Sequence, residues 1–221
     1  MIKTIIFDFD GLMVDTEMIS YKCYQALLKD YGISFSLDDY TKEYPGTPAR
    51  MAIQKFKERY QIPCEIEEAL HTIDCLEKQF IKEDGVPLKP GLRELLTYLK
   101  KAGYQVVVAT SSLKKRALHI LKQHQLENCF DDFTFGYEVT RNKPFPDIFL
   151  KACEKMSVKP SQALVLEDSE AGIQAAYDAH IPVICIPDMK YPSPIYEKMT
   201  TAIFPSLMDI ISFLESNHDE S

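Results

Sequence analysis

No stretch of this 221-residue sequence stays apolar for the roughly 20 residues needed to cross a bilayer, although 46% of it is hydrophobic. Basic residues are outnumbered by acidic ones, 25 against 33, for a formal net charge of −8. A nucleic-acid partner asks for the opposite balance, because its affinity rests on basic surface. There is no CxxC pair, and Cys23, Cys64, Cys75, Cys129, Cys153 and Cys185 are scattered without a Cys/His cluster. Their even number fits three disulfides. The sequence opens directly on a strand with no room for an export signal, however, so reduced thiols and a cytoplasmic location are expected. Internal repeats are missing, and the polar end 216–221 is expected to fray. What remains is a chain long enough for one large domain or two unequal ones, with ample core.

The first informative segment is Ile5-Ile6-Phe7-Asp8-Phe9-Asp10-Gly11. Residues 2–9 form a nearly continuous apolar run, which predicts a strand covered on both faces in a parallel sheet. Gly11 ends it, leaving Asp8 and Asp10 at its carboxyl end, where open α/β sheets bind ligands. The two-residue period puts both side chains on one side. Neighbouring carboxylates repel unless a cation or a proton relieves them, so the pair calls for a metal, acid–base work, or both.

Beyond Gly11 the pattern changes to three- and four-residue spacing over 17–31, 48–60 and 65–82, which predicts helices with no intervening strand. From 91 onward the periods alternate. Helices are predicted at 92–102, 113–123, 147–156, 171–179 and 207–215, with strands at 104–109, 133–135, 163–166 and 182–186. This rhythm predicts a doubly wound, Rossmann-like α/β sheet. Because one strand precedes the helical block and the others follow it, the block reads as an insertion. The expected division is a core of 1–15 with 88–221 and an all-helical domain of 16–87, left through a Gly- and Pro-rich stretch at 85–91.

Four signals then lie at successive strand ends: Asp8-Phe9-Asp10-Gly11, Ala109-Thr110-Ser111-Ser112, Asn142-Lys143-Pro144-Phe145-Pro146-Asp147, and Leu166-Glu167-Asp168-Ser169. Taken singly, each has an ordinary reading as a turn, a helix cap or a solvated charge. In a doubly wound sheet the four ends converge on one crevice. An all-oxygen donor set without histidine or cysteine suits Mg²⁺ better than zinc. Hydroxyls and free N–H groups at a helix start, beside a lysine, make an anion site. Carboxylates, an ammonium and such a nest describe a phosphoryl site.

Asp8-x-Asp10-Gly11-x-x-x-Asp15-Thr16, Thr110-Ser111, Lys143-Pro144-x-Pro146-Asp147 and Glu167-Asp168-Ser169-x-x-Gly172 together resemble the four motifs of the haloacid dehalogenase superfamily. The likeness is to its phosphatase and β-phosphoglucomutase branch, and the helical insertion resembles that family's mobile cap. The resemblance implies Asp8 as nucleophile forming an aspartyl phosphate, and Asp10 as acid–base group with its carbonyl on the metal. It implies Thr110 and the Ser111 amide as phosphate holders, Lys143 as the bridge between Asp8 and the phosphoryl oxygens, and Asp168 as an Mg²⁺ ligand. Glu167 falls in or just outside the metal's ligand sphere. True dehalogenases do not carry an Asp two residues after the nucleophile, so dehalogenation is not expected.

The cap bears on substrate. In the mutase group a histidine follows the Asp-Thr pair and a lysine stands in a cap helix; here those places hold Ser20 and Thr72. Gly46-Thr47-Pro48-Ala49-Arg50 resembles the substrate-contacting loop, with Arg50 readable either as a clamp or as a surface cation. Lys42, Lys55, Lys57, Arg59 and Lys78 read as a solvated face. The expectation is a monomeric, Mg²⁺-dependent phosphatase of a small phosphate ester, with no nucleic-acid or membrane partner. A sugar-phosphate mutase is the alternative in chemistry, and a catalytically silent relative the alternative in class.

Overall fold

A computed structural model describes residues 1–218. It divides into two compact units, one of residues 1–14 and 87–218, the other of residues 15–86.

The first unit is built on six parallel strands in the order β3-β2-β1-β4-β5-β6. They are β1 (Thr4–Phe7), β2 (Gln105–Thr110), β3 (Asp132–Phe135), β4 (Ala163–Glu167), β5 (Val183–Cys185) and β6 (Ala202–Ile203). β1 is central, pairing Ile6 with Val107 on one side and with Val165 on the other. Its residues are buried on both faces, which is why Ile5, Ile6 and Phe7 are apolar without alternation. Each fully buried Ile or Phe contributes about 1.5–3 kcal/mol relative to exposure. The order reverses direction at β1, so the crevice lies at the carboxyl ends of β1, β2 and β4. Helices α5 (Leu92–Ala102), α6 (Lys114–Gln123), α7 (Asp147–Lys155), α8 (Glu170–Asp178) and α10 (Asp209–His218) belong to this unit, with the short α9 (Pro194–Glu197). Two short elements, α9 and β6, are additional to the expected pattern, since four and two residues carry no period. Of the end 216–221, residues 216–218 continue α10 and the remaining three lie outside the described residues.

The second unit holds α1 (Glu17–Lys29), α2 (Leu37–Glu43), α3 (Ala49–Tyr60) and α4 (Ile66–Glu83). α2 was not in the predicted pattern; seven residues make only two turns. Its start is fixed by a capping box, in which Asp39 N–H donates to Ser36 Oγ at 3.1 Å and Ser36 N–H to Asp39 Oδ2 at 3.1 Å. The core of this unit is aromatic. Tyr24, Phe35, Tyr40, Tyr44 and Phe56 pack with centroids 4.8–6.5 Å apart, mostly edge to face.

All six cysteines are free thiols, four of them buried. One pairing was hidden in the sequence: His71 Nε2 and Cys75 Sγ, one helical turn apart, lie 3.8 Å from each other on the exposed face of α4. Among the described residues no helix is long and apolar enough to cross a membrane.

Candidate active site

Asp8 follows β1 directly and keeps its N–H in the sheet, donating to Leu166 O at 3.0 Å. The chain then doubles back: Met13 N–H donates to Phe9 O at 3.0 Å and Gly11 N–H to Val14 O at 2.9 Å. Gly11 has φ +84°, and a Cβ there would collide with the Asp168 carboxylate. Glycine is required at this position on both counts. The close approach brings the loop after β1 against the loop after β4.

Lys143 joins these loops from a third. Its Nζ donates to Asp8 Oδ1 and, at 2.6 Å, to Glu167 Oε1, while sitting 4.9 Å from the centroid of the Phe149 ring. Glu167 is wholly buried, and its other oxygen accepts from Asp168 N–H, Ser169 N–H and Ser169 Oγ, each at 2.9 Å. Ser169 Oγ in turn accepts from Gly172 N–H at 3.1 Å, capping α8. A Cβ at residue 172 would overlap the Glu167 carboxylate, so α8 approaches that side chain only because residue 172 is glycine. Both Glu167 oxygens are thus engaged by Lys143 and by the cap. Its geometric part is to seat the lysine and fix the loop carrying Asp168.

Three carboxylates, those of Asp8, Glu167 and Asp168, bring oxygens within 4.8 Å of one another. Burial pushes Asp8 up to about 7; Lys143 works against the shift, and Glu167 and Asp10 add to it. Burial likewise holds Asp168 well above the usual carboxylate range, reinforced by Glu167, Asp8 and Asp188. For Lys143 burial acts against the charge, but Asp8 and Glu167 outweigh it and hold the ammonium above its ordinary value. A cluster so acidic, with one ammonium among three carboxylates, fits a hard divalent cation. Asp8 and Asp168 are the residues that would hold it.

At the end of β2, Thr110 is buried and its Oγ1 accepts from Ser112 N–H at 2.9 Å, folding the strand end into a turn with Ser111 exposed on it. Ser112 Oγ donates to Asp10 Oδ2 at 2.5 Å, and Arg116 Nη1 donates to Asp10 Oδ1 at 2.7 Å and to Ser112 Oγ at 2.6 Å. Arg116 is absent from the sequence reading. It stands in the first turn of α6 with Lys114 and Lys115, where no acidic residue offsets them. Cations there oppose the helix dipole. That electrostatic misfit, one turn after Ser112, is the signal that could have found Arg116. Lys89 Nζ pairs with Asp188 Oδ1 at 2.5 Å, a second pair the motifs do not announce.

The residues singled out in the helical insertion lie in the second unit. Gly46, at φ +67°, donates its N–H to Glu17 Oε1 at 3.2 Å, and Ser20 is half-buried in the first turn of α1. Arg50 Nη2 pairs with Glu67 Oε1 at 2.6 Å, both side chains exposed. Thr72 Oγ1 donates to Glu68 O of its own helix. Lys42, Arg59 and Lys78 pair with Asp38, Glu43 and Asp74, and Lys55 and Lys57 donate to carbonyls. A solvated, locally paired face accounts for them.

Residues 5–186 match the profile of the haloacid dehalogenase-like hydrolases, and the chain belongs to that family. A phosphorylated carbohydrates phosphatase of Thermotoga maritima is 31% identical over 179 residues, 81% of this chain and 82% of that protein. A validoxylamine A 7'-phosphate phosphatase of Streptomyces hygroscopicus is 28% identical, covering 82% of this chain and 84% of the other. Among solved structures, a candidate β-phosphoglucomutase from Thermotoga maritima superposes with a TM-score of 0.82 at 27% identity, covering 97% of this chain and 99% of that one.

Proposed function

We propose that the chain is a Mg²⁺-dependent phosphatase of a small phosphorylated metabolite, a sugar phosphate or a close relative, acting through an aspartyl phosphate on Asp8. The observation that carries this reading is the convergence of Asp8, Lys143, Glu167 and Asp168 with the Thr110–Ser112 turn at one end of one sheet. An Asp8 oxygen attacks phosphorus, the bond to the ester oxygen breaks, and Asp10 gives that oxygen its proton. Asp10, now a carboxylate, takes a proton from water. The water oxygen bonds to phosphorus, the Asp8–phosphorus bond breaks, and inorganic phosphate leaves with Asp8 restored. Lys143 holds Asp8 in line and offsets negative charge growing on the phosphoryl oxygens. Thr110 and Ser111 orient those oxygens. The cation supplies, when bound, further charge neutralisation at the same point.

The mutase reading draws support from the solved structure named as a candidate β-phosphoglucomutase. Against it stand Ser20 and Thr72 at the positions where the resemblance leads one to expect a histidine and a lysine. A mutase must hold its intermediate away from water while the sugar reorients. Turnover of phosphorylated sugars, glycerol phosphates and nucleotides with Mg²⁺ tests the class. Inorganic phosphate released from a phosphorylated sugar, and none after EDTA, is expected. Conversion of β-glucose 1-phosphate to glucose 6-phosphate with a trace of 1,6-bisphosphate and little free phosphate would install the mutase instead.

A further inference from the structure

We propose that Arg116, acting with Ser112, is a positioning residue that holds the Asp10 carboxylate in the orientation required for proton transfer. The proposal rests on the reading of Asp10 as the proton-transfer group.

Three hydrogen bonds close a ring. Arg116 Nη1 donates to Asp10 Oδ1 at 2.7 Å and to Ser112 Oγ at 2.6 Å, and Ser112 Oγ donates to Asp10 Oδ2 at 2.5 Å. Both oxygens of the carboxylate are therefore engaged by one short segment, and rotation about its last bond is blocked. Such a constraint matters at Asp10. Its side chain is about one-third exposed, 35%, so packing alone does not fix it. Asp8 lies two residues away and, carrying a like charge, would repel it.

The segment that supplies the ring is itself rigidly placed. Ser112 N–H is tied to Thr110 Oγ1 at 2.9 Å, and Thr110 ends a strand paired with β1 through Ile6–Val107 and Phe7–Val108. Arg116 N–H donates to Leu113 O at 3.0 Å in the first turn of α6. The loop that carries Asp10 and the turn that clamps it therefore follow neighbouring strands of one sheet, β1 and β2.

Helix stability does not explain the arginine. With Lys114 and Lys115 it makes a first turn of three cations and no acid, the reverse of what the helix dipole favours. Side-chain solvation does not explain it either, since only 21% of its side chain is exposed. The Asp10–Ser112 pair gives it partners on both sides of the ring.

The test compares wild type with Arg116→Ala, Arg116→Lys, Ser112→Ala, Asp10→Asn and the double variant Asp10→Asn/Arg116→Ala. The substrates are glycerol phosphate, whose alkoxide must be protonated to leave, and p-nitrophenyl phosphate, whose phenolate leaves readily. For Arg116→Ala the kcat on glycerol phosphate should fall by about tenfold or more, a part of the range general acid–base catalysis spans, with KM unchanged. On p-nitrophenyl phosphate, stopped flow should show a burst of nitrophenolate followed by slow turnover, because water activation also depends on Asp10. Arg116→Lys should recover part of the loss, and the double variant should be no slower than Asp10→Asn alone.

Wild-type rates in Arg116→Ala, a rise in KM alone, or losses that add to those of Asp10→Asn would overturn the proposal. If Arg116→Ala does not fold, Ser112→Ala and Arg116→Lys carry the test, with lowered kcat at unchanged KM expected and wild-type rates fatal. An Asp10→Asn enzyme with full activity removes the reading of Asp10 and the proposal with it. An inactive Asp10→Asn beside an unimpaired Arg116→Ala removes the proposal alone.

Discussion

Lys143 reaches between two carboxylates that come from two different strands, Asp8 after β1 and Glu167 at the end of β4. Its side chain is only 9% exposed, so water does little to screen either contact. Removing one member of a buried charge group costs about 3–5 kcal/mol, mainly because the partners stay behind without compensation. Lys143→Ala is therefore expected to lower the melting temperature clearly and to reduce kcat by about a hundredfold or more, in line with loss of a donor at a developing anion. Thermal unfolding alongside initial rates checks both. Unchanged stability with lost activity would mean that the lysine does not hold the carboxylates together. The acidic residues and this lysine were legible in the sequence because the acids follow apolar strands and the lysine directly precedes the Pro144-Phe145-Pro146 stretch. Arg116 was not, because a basic residue in a helical period looks like any solvated charge. Its meaning comes from Ser112 one turn earlier and Asp10 a hundred residues away.

Elements meet at this site through positions that carry no side chain. The first turn of α8 lies against Glu167, and a Cβ at Gly172 would occupy the carboxylate's place. Gly172→Ala must push Glu167 aside, and with it the partner of Lys143 and the acceptor that anchors Asp168 and Ser169. Overpacking of this kind costs about 1–3 kcal/mol, which is about 2–12 °C in melting temperature for a domain of this size. Calorimetry reads the shift, and an alanine variant as stable as wild type would show that α8 retreats freely. Strands and long helices were readable from their periods, the central strands best, because burial on both faces leaves an unbroken apolar run. Their ends moved by at most three residues: the run 2–9 pairs as strand only over Thr4–Phe7. The helix Leu37–Glu43 escaped because it is two turns long, although Ser36-x-x-Asp39 wrote its start into the sequence.

For the whole molecule, the gathering of carboxylates ties stability to pH. Asp8 is pushed up to about 7 by burial first, with Lys143 opposing, so between the ordinary carboxylate value and that point the folded chain keeps a proton that the unfolded chain has released. Stability of the metal-free protein therefore falls as pH rises through that window, and the raised Asp168 acts in the same direction. A bound divalent cation favours the ionised carboxylates and relieves the loss. Mg²⁺ should thus raise the melting temperature more at about pH 7.5 than at about pH 5. Equal gains at both values would show that the cation does not bind these acids. The insertion of a helical block into an α/β sheet was visible from the change of period after Gly11. The pairing of Lys89 with Asp188 was not, because it joins the stretch before α5 to the loop after β5, 99 residues apart.

In the proposed mechanism an Asp8 oxygen bonds phosphorus in a covalent intermediate. Enzyme mixed with a turned-over phosphate ester and Mg²⁺, acid-quenched within the first turnover, reduced with borohydride and mapped by peptide mass spectrometry tests this directly. Borohydride converts an acyl phosphate to an alcohol, so homoserine should appear at position 8 in the substrate-treated sample and be absent from the untreated control. Rapid turnover with Asp8 unmodified at every quench time, or modification at another residue, would contradict the account.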